Sequence, residues 1–483
     1  MNKNKDQDYE TIIGLEVHLQ LNTETKIFCS CANIFGQQPN SLTCPVCLGL
    51  PGSLPVLNET ALMHALKAAL ALHCTINPYI KFHRKNYYYP DLPKGYQISQ
   101  YDLPIGTNGY LIIPLSHGPS KKICIHRAHI EEDAGKLIHD PQTNCSLVDY
   151  NRAGTPLMEI VTEPDLRSAQ EAYEYLQILK LTLEYLNISD CDMEKGSLRC
   201  DANISIRKRG SSHLGTKTEI KNMNSFKAVK NGLEFEIARQ EELAHHGQAV
   251  VQETRLWNEQ EEKTMPMRSK EEAHDYRYFP EPDLVPFMLN KEAIEQIRKS
   301  LPELPVQKME RLVEKYGLSE YNARIIVQNQ HLADFFEECV RDYRDPMKIS
   351  HWIIGPVLKE LNVRKTEIGD INLTALDLVT LIKKTDEGVL SNLAAKEALK
   401  QALEKGKSIQ EIIEEKRFVQ VSDDETLMKV VNEILNENQK IAKQIQEGKD
   451  NAIGFLIGQA MKKTQGKANP KKVGEIIKRR LQK

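Results

Sequence analysis

The chain has 483 residues, 40% hydrophobic and 27% charged, which is the balance of folded domains and excludes a disordered chain. At about 150 residues per domain the length suggests about three domains, and no run approaches the ~18 apolar residues of a membrane span. Net charge is −3, from 64 basic and 67 acidic residues, so the whole chain carries no nucleic-acid signature.

The polar start, Met1–Glu10, leads into an apolar run at Ile12–Val17 that Glu16 already breaks; this predicts neither a signal peptide nor an anchor. Ten cysteines without a regular disulfide framework fit a reducing, cytoplasmic compartment. In Leu15–Leu21, strand alternation puts Leu15, Val17, Leu19 and Leu21 on one face, and Glu16, His18 and Gln20 on the other. Next come Cys29-x-Cys31 and, after a short loop, Cys44-x-x-Cys47. Two close pairs form a thiolate cage suited to tetrahedral Zn²⁺, with every position filled, so the site is expected to be structural.

A helix is predicted from about Asn58 to Leu72, with Leu62, Leu66 and Leu70 on one face. A turn follows at Tyr89–Gly95. In Ile123–Glu132 alternation groups Arg127, His129 and Glu131. A second helix follows Ser168, with Glu171 as capping-box partner and Leu176, Leu179, Leu183 and Leu186 as its apolar stripe. Asp201–Arg207 places Asp201, Asn203, Ser205 and Arg207 opposite Ala202, Ile204 and Ile206. Around Glu219, the residues Lys217, Glu219 and Lys221 share a face. A third helix follows Ser225 and stops near Gly247.

After Phe279–Asp283 helical periodicity takes over, from Lys291 to the end, with breaks expected at Leu301–Pro305, Gly355-Pro356, Gly406 and Gly448. The expected organisation is α+β: an antiparallel-sheet domain over 1–290, a helical linker domain over 291–405 and a helical tail domain over 406–483. Residues 441–483 carry 11 basic and 3 acidic residues, a cationic end on a near-neutral chain and a candidate phosphate-backbone contact.

Four strands with one apolar face, and one face mixing carboxylates, imidazoles and cations, suggest a single sheet with a working surface. Carboxylates with imidazole suit a divalent cation, and Arg and Lys suit phosphate oxygens; together they fit phosphoryl transfer. The P-loop pattern, a dinucleotide-binding glycine motif and a nucleophile elbow are all missing from the sequence. So is an amidase Ser-Ser-Lys cluster, and any ammonia used must come from another protein.

Longer motifs then become recognisable. Leu147–Ile160 (LVDYNRAGTPLMEI), Gly14–His18, Arg84–Tyr87 with the Pro90–Gln100 turn, and His129–Gly135 resemble the B-type subunits of the bacterial aspartyl/glutamyl-tRNA amidotransferases. So do Gly196–Asn203, Glu219–Phe226, Asp275–Pro280 and the tail run Gly454–Pro470. The resemblance spans nearly the whole chain in the expected order. The archaeal relatives carry a large inserted domain, for which Phe279–Lys291 leaves no room.

The resemblance implies a cradle domain related to the glutamine synthetase/guanido kinase fold. It implies a heterotrimer with an A-type amidase subunit and a small C-type subunit. It also implies ATP-dependent phosphorylation of the side-chain carboxylate of misacylated Glu-tRNA(Gln) or Asp-tRNA(Asn), followed by amidation with ammonia channelled from the amidase. By motif match Glu16, His18, Glu131 and Glu159 are the expected Mg²⁺ ligands, with Lys85, Arg199 and Lys221 on phosphates and Asp201, Ser197 and Glu194 as further carry-overs. Lys462, Lys463, Lys467, Lys471 and Lys472 are the expected tRNA contacts. The competing expectation is a catalytically silent, zinc-stabilised tRNA-binding scaffold within the same complex.

Overall fold

The computed structural model describes residues 8–116, 118–140, 142–267, 275–416, 424–446, 452–464, 468 and 470–481. The chain divides into two units, Met1–Gln307 and Lys308–Lys483. The first is a mixed α+β unit built on one large sheet; in the second the described elements are helical.

The sheet runs in the order Lys263–Pro266, Glu253–Asn258, Thr218–Lys221, Leu198–Lys208, Tyr9–Gln20, Pro156–Thr162, Lys121–Glu132, Tyr96–Ser99, His83–Asn86, Phe279–Pro280. Gly106–Ile113 also pairs with Lys121–Glu132. Alternation works as expected in Tyr9–Gln20: Ile13, Leu15, Val17 and Leu19 are buried in the core, while Glu16, His18 and Gln20 face the other way. The expected antiparallel pairing holds for the named pairs except one. Thr218–Lys221 and Glu253–Asn258 run parallel, because the helix Phe226–His245 between them carries the chain back across the sheet.

Three helices, Glu59–Ala71, Ala169–Tyr185 and Phe226–His245, contribute buried side chains to the core that includes the apolar face. Asn58, Ser168 and Ser225 cap them, each side chain accepting a backbone N–H of the first turn. The box expected at Ser168 is altered. Glu171 Oε2 accepts the N–H of Arg167 at 2.8 Å, one residue earlier than a capping box requires, and also takes Lys121 Nζ at 2.7 Å. The helix Lys291–Ser300 adds Ile297 to this same core.

The second unit holds two separate cores, one drawn from Leu312 to Ile413 and one from Leu427 to Ile477. Helices end at Ser300 and restart at Pro305, and Gly406 caps its helix at φ +65, as the sequence predicts. Gly355-Pro356 does not break the chain's helical course. A π turn over Ile353–Val357 absorbs Pro356, since its wider hydrogen-bond spacing tolerates a residue without an N–H. The break expected at Gly448 lies outside the described residues. Among the described residues, no helix is long and apolar enough to cross a membrane.

Candidate active site

Strand register assembles the site. His18 stands opposite Glu159 on one neighbouring strand and Arg199 on the other, and Glu159 stands opposite His129. Glu16 faces Asp201 across the ladder, and Glu131 faces Ser99. The four expected carboxylate and imidazole ligands therefore come together. His18 Nε2 lies 3.3 Å from Glu159, 3.6 Å from Glu16 and 3.9 Å from Glu131. His129, which alternation groups with Glu131 but leaves without a role, joins them at 3.4 Å from Glu131 and 3.7 Å from Glu159. Arg127 reaches Glu159 at 3.4 Å, and Ser99 Oγ donates to Glu131 at 3.2 Å.

Burial and crowding set the charges. Burial pushes the Glu16 carboxyl up, and the Glu159 charge adds to it. Burial disfavours a charged His18, yet the hydrogen bond to Glu159 and the charges of Glu131 and Glu159 raise its pKa. Burial would also lift Glu131 and Glu159; His129 and His18 hold both below the usual carboxylate range. Three crowded carboxylates with one guanidinium at their edge favour an added cation. Ligand atoms of Glu16, His18 and Glu159 lie within 4.8 Å of one another, as do those of His129, Glu131 and Glu159. An oxygen-rich donor set of this kind fits Mg²⁺.

The expected phosphate cations are distributed around this cluster. Arg199 pairs with the buried Asp133 at 2.9 Å, and Asp133 also accepts from Gln20 at 2.7 Å. Lys221 bridges Asp201 and Glu219, the latter at 3.0 Å. Lys85 lies on a strand towards the other edge of the sheet, its ammonium 4.9 Å from the ring centre of Tyr276. Ser197 is held elsewhere: its hydroxyl pairs with Asp190 and accepts the Asp192 N–H at 2.9 Å, closing the turn that precedes its strand. Glu194 lies in that turn, its N–H donating to Asp192 at 2.8 Å.

Tyrosines border the cluster next to Lys85. Tyr101 and Tyr278 are stacked at 4.1 Å with 12° between ring planes, and Tyr276 packs edge-on to Tyr278 and to Tyr87. Burial first, then the charges of Glu131 and Glu159, push the Tyr278 phenol up, and its stacking partner Tyr101 lies two residues beyond Ser99, whose hydroxyl donates to Glu131 at 3.2 Å. No periodicity in the sequence announces this group, because Phe279–Pro280 pairs with His83–Asn86 from far along the chain.

The four grouped cysteines form a second centre. One sulfur from each of Cys29, Cys31, Cys44 and Cys47 lies within 4.8 Å of the others, and all four thiols are free. That is the donor set of a closed tetrahedral zinc site. Cys47 is drawn far below an ordinary thiol, first by Cys29, then by the Cys44 N–H at 3.1 Å and by Lys26, although burial opposes this. Lys26 is fully buried, with Nζ 3.8 Å from Cys47 Sγ, 2.8 Å from the Leu42 carbonyl and 3.3 Å from the Tyr150 carbonyl. Gly154, at φ +84, accepts the Ile27 N–H and leaves its missing Cβ 3.6 Å from Lys26 and Cys47. Between this loop and the sheet a cavity of about 280 Å³ is lined in part by Cys47, Arg84, Lys94 and Glu132.

In the second unit, Lys462 and Lys463 end the helix Ile453–Lys463, and Lys463 is bound to Glu433 at 2.9 Å and Glu437 at 2.7 Å. Lys471 and Lys472 lie in the helix Pro470–Leu481. Lys467 lies outside the described residues.

Comparison with known proteins gives two family matches: the GatB/GatE catalytic domain over residues 11–295 and the GatB domain over residues 334–481. The B-type subunit of the aspartyl/glutamyl-tRNA(Asn/Gln) amidotransferase from Thermoanaerobacter pseudethanolicus is 53% identical over 475 residues, 98% of this chain and 100% of the relative. Its counterpart from Carboxydothermus hydrogenoformans is 50% identical over 480 residues, 99% and 100% of the two chains. That from Persephonella marina is 51% identical over 475 residues, 98% and 100%.

Proposed function

The chain belongs to the GatB family, the B-type subunits of the aspartyl/glutamyl-tRNA(Asn/Gln) amidotransferases, and on that premise we propose that its polar sheet face phosphorylates the side-chain carboxylate of misacylated Glu-tRNA(Gln) and Asp-tRNA(Asn) with ATP. The observation that carries this reading is the convergence of Glu16, His18, Glu131 and Glu159, with Arg199 and Lys221 on one flank and Lys85 on the other. The finer fold proposed with it is a glutamine synthetase/guanido kinase-like cradle over 1–290, a helical linker over 291–405 and a helical tail over 406–483; the core that Leu312 opens reaches Ile413, beyond that second boundary, and the next begins at Leu427.

A free carboxylate is a poor acylating agent because its leaving group would be oxide. In the proposed reaction a carboxylate oxygen of the substrate attacks the γ-phosphorus of ATP and ADP leaves. Ammonia then attacks the acyl carbon, phosphate leaves, and Gln-tRNA(Gln) or Asn-tRNA(Asn) is formed. Mg²⁺, when held by Glu16, His18, Glu131 and Glu159, with His129 beside them, supplies charge for the transferred phosphoryl group. The chain's own residues orient and balance it. Asp133 fixes Arg199 in place for phosphate oxygens, and Asp201 and Glu219 hold Lys221 beside it. Lys85 meets phosphate oxygens from the far flank, and Ser197 shapes the turn that delivers Arg199.

The four thiolates hold Zn²⁺ and staple the loop. Partners in the reading are the A-type amidase, which supplies the ammonia, and the small C-type subunit, in a cytoplasmic heterotrimer. Lys462, Lys463, Lys467, Lys471 and Lys472 meet the tRNA backbone. The test is ATP turnover by the purified heterotrimer on Glu-tRNA(Gln), with glutamine and ammonium withheld. Wild type is expected to form ADP and a phosphorylated glutamyl ester, and His18→Ala is not. ADP formation unaffected in His18→Ala would remove the site; tRNA binding without any ADP would leave the scaffold reading.

A further inference from the structure

The stacked tyrosines beside the carboxylates have no part in phosphoryl transfer itself. Tyr101 is about half exposed, at 54%, yet its ring lies flat on Tyr278, and Tyr276 and Tyr87 continue the aromatic surface towards Lys85. The backbone is held to keep it so. Arg277, between Tyr276 and Tyr278, adopts φ +44, a conformation an arginine enters only under constraint. Its N–H donates to Asp275 at 3.0 Å and its carbonyl accepts from Asn86 at 2.8 Å, which fixes the two flanking rings.

Sheet order gives the surface a direction. Arg199 and Lys221 lie on strands to one side of the central strand Tyr9–Gln20, and the tyrosines lie by the strands at the other edge, with the carboxylates between. Phosphoryl transfer puts the attacking and leaving oxygens in line. With ADP leaving towards Arg199 and Lys221, the acceptor carboxylate approaches from the tyrosine side. That carboxylate belongs to an amino acid esterified to the terminal ribose of a tRNA. The unpaired terminal base therefore arrives within one nucleoside's length of the carboxylates, and unpaired bases are held by stacking on aromatic rings.

We propose that Tyr101 and Tyr278, with Tyr276 beside them, seat the 3′-terminal adenosine of the aminoacylated tRNA, the rings stacking its base. This rests on the reading of the neighbouring carboxylates as the phosphorylation site. Tyr101 and Tyr278 are positioning residues in it, since neither touches the reacting atoms.

The test uses the heterotrimeric complex and tRNA(Gln) carrying 2-aminopurine in place of the terminal adenine. Wild type is expected to quench the fluorophore on binding. The double variant Tyr101→Ala, Tyr278→Ala should lose the quench and raise KM for Glu-tRNA(Gln) by about 5- to 150-fold, the range of one lost base stack, with KM for ATP unchanged. Tyr101→Phe with Tyr278→Phe keeps the ring faces and should bring the quench back, which a misfolded shelf could not. A raised KM for ATP with the quench intact would overturn the proposal and give the shelf to the adenine of ATP. An unchanged quench and unchanged constants would overturn it outright. Because the quench needs no chemistry, a wild-type complex that quenches but forms no ADP would instead remove the phosphorylation reading.

Discussion

Among the described residues, the first unit brings together two clusters of side chains able to hold a metal ion, built on opposite plans. The cysteine centre takes its four sulfurs from one short stretch, Cys29 to Cys47, and fills every tetrahedral position with protein. The carboxylate centre takes Glu16, His18, His129, Glu131 and Glu159 from three strands as two overlapping groups of three ligands, with His129, Glu131 and Glu159 buried and Glu16 and His18 half-buried, so no group is filled by protein alone. A closed set of ligands can only hold structure, whereas an open one leaves room for a reacting group. Lys26 marks the same difference. The closed centre brings its own buried counter-charge, while the open centre holds three carboxylates with one guanidinium at the edge.

The largest expected effect separates structure from chemistry. Cys44→Ser with Cys47→Ser should abolish zinc content, read by atomic emission, and lower the stability of the first unit by roughly 4–5 kcal/mol, as loss of a structural metal does. Activity per folded molecule should persist at temperatures below the new melting point. Glu131→Gln should do the reverse. ATP turnover should fall by about 10²–10³-fold, the effect of losing one group that stabilises transition-state charge. Zinc content should stay, and the melting temperature should fall only modestly, because the substitution keeps the side chain's shape but removes the charge that His129 and His18 hold ionised. If both substitutions cost stability and activity to a similar extent, the division into closed and open centres fails.

Lys26→Met sharpens the comparison at the closed centre. The methionine fits the buried stem but removes the cation from Cys47 and the bonds to the Leu42 and Tyr150 carbonyls. Groups that support metal ligands from behind typically change affinity by about 10–100-fold. Zinc should therefore be lost to a competing chelator at a correspondingly lower chelator concentration, with ATP turnover by the zinc-loaded complex unaltered. Retention equal to wild type would show that the thiolates need no buried counter-charge.

The two centres also differ in how far the sequence discloses them. Paired cysteines at short spacing announce a thiolate site before any fold is known. Alternation likewise discloses the polar face of Tyr9–Gln20 and of Lys121–Glu132, because one side of each strand is apolar. The roles of Glu16 and Glu159 come from family motifs instead. Pro156–Thr162 is buried at every position but one, so no clear alternation marks Glu159. His129 gains its place from the register between two strands, which no local pattern encodes. Lys26 reads as an ordinary loop lysine, and only the tertiary fold buries it. Pro356 misleads in the other direction, since a π turn absorbs a residue that usually ends a helix.

The smallest effect comes from the second unit, where Arg311 and Lys308 both reach Glu337. Arg311 grips Glu337 with both guanidinium nitrogens, at 2.6 and 2.9 Å, and that hydrogen bonding holds the Glu337 carboxyl below the usual range against the pull of burial. A carboxyl whose folded pKa is depressed adds stability above its unfolded value of about 4.3, and that contribution is lost as pH falls through the lower folded value. The pair is partly solvated, so Glu337→Gln should cost only about 0.5–1 kcal/mol at pH 7. Thermal melts of wild type and variant should converge as pH drops below about 4. A difference that persists undiminished at a pH of about 3 would mean that the neutral Glu337 side chain, and not its charge, supports the helix Gln330–Asp342.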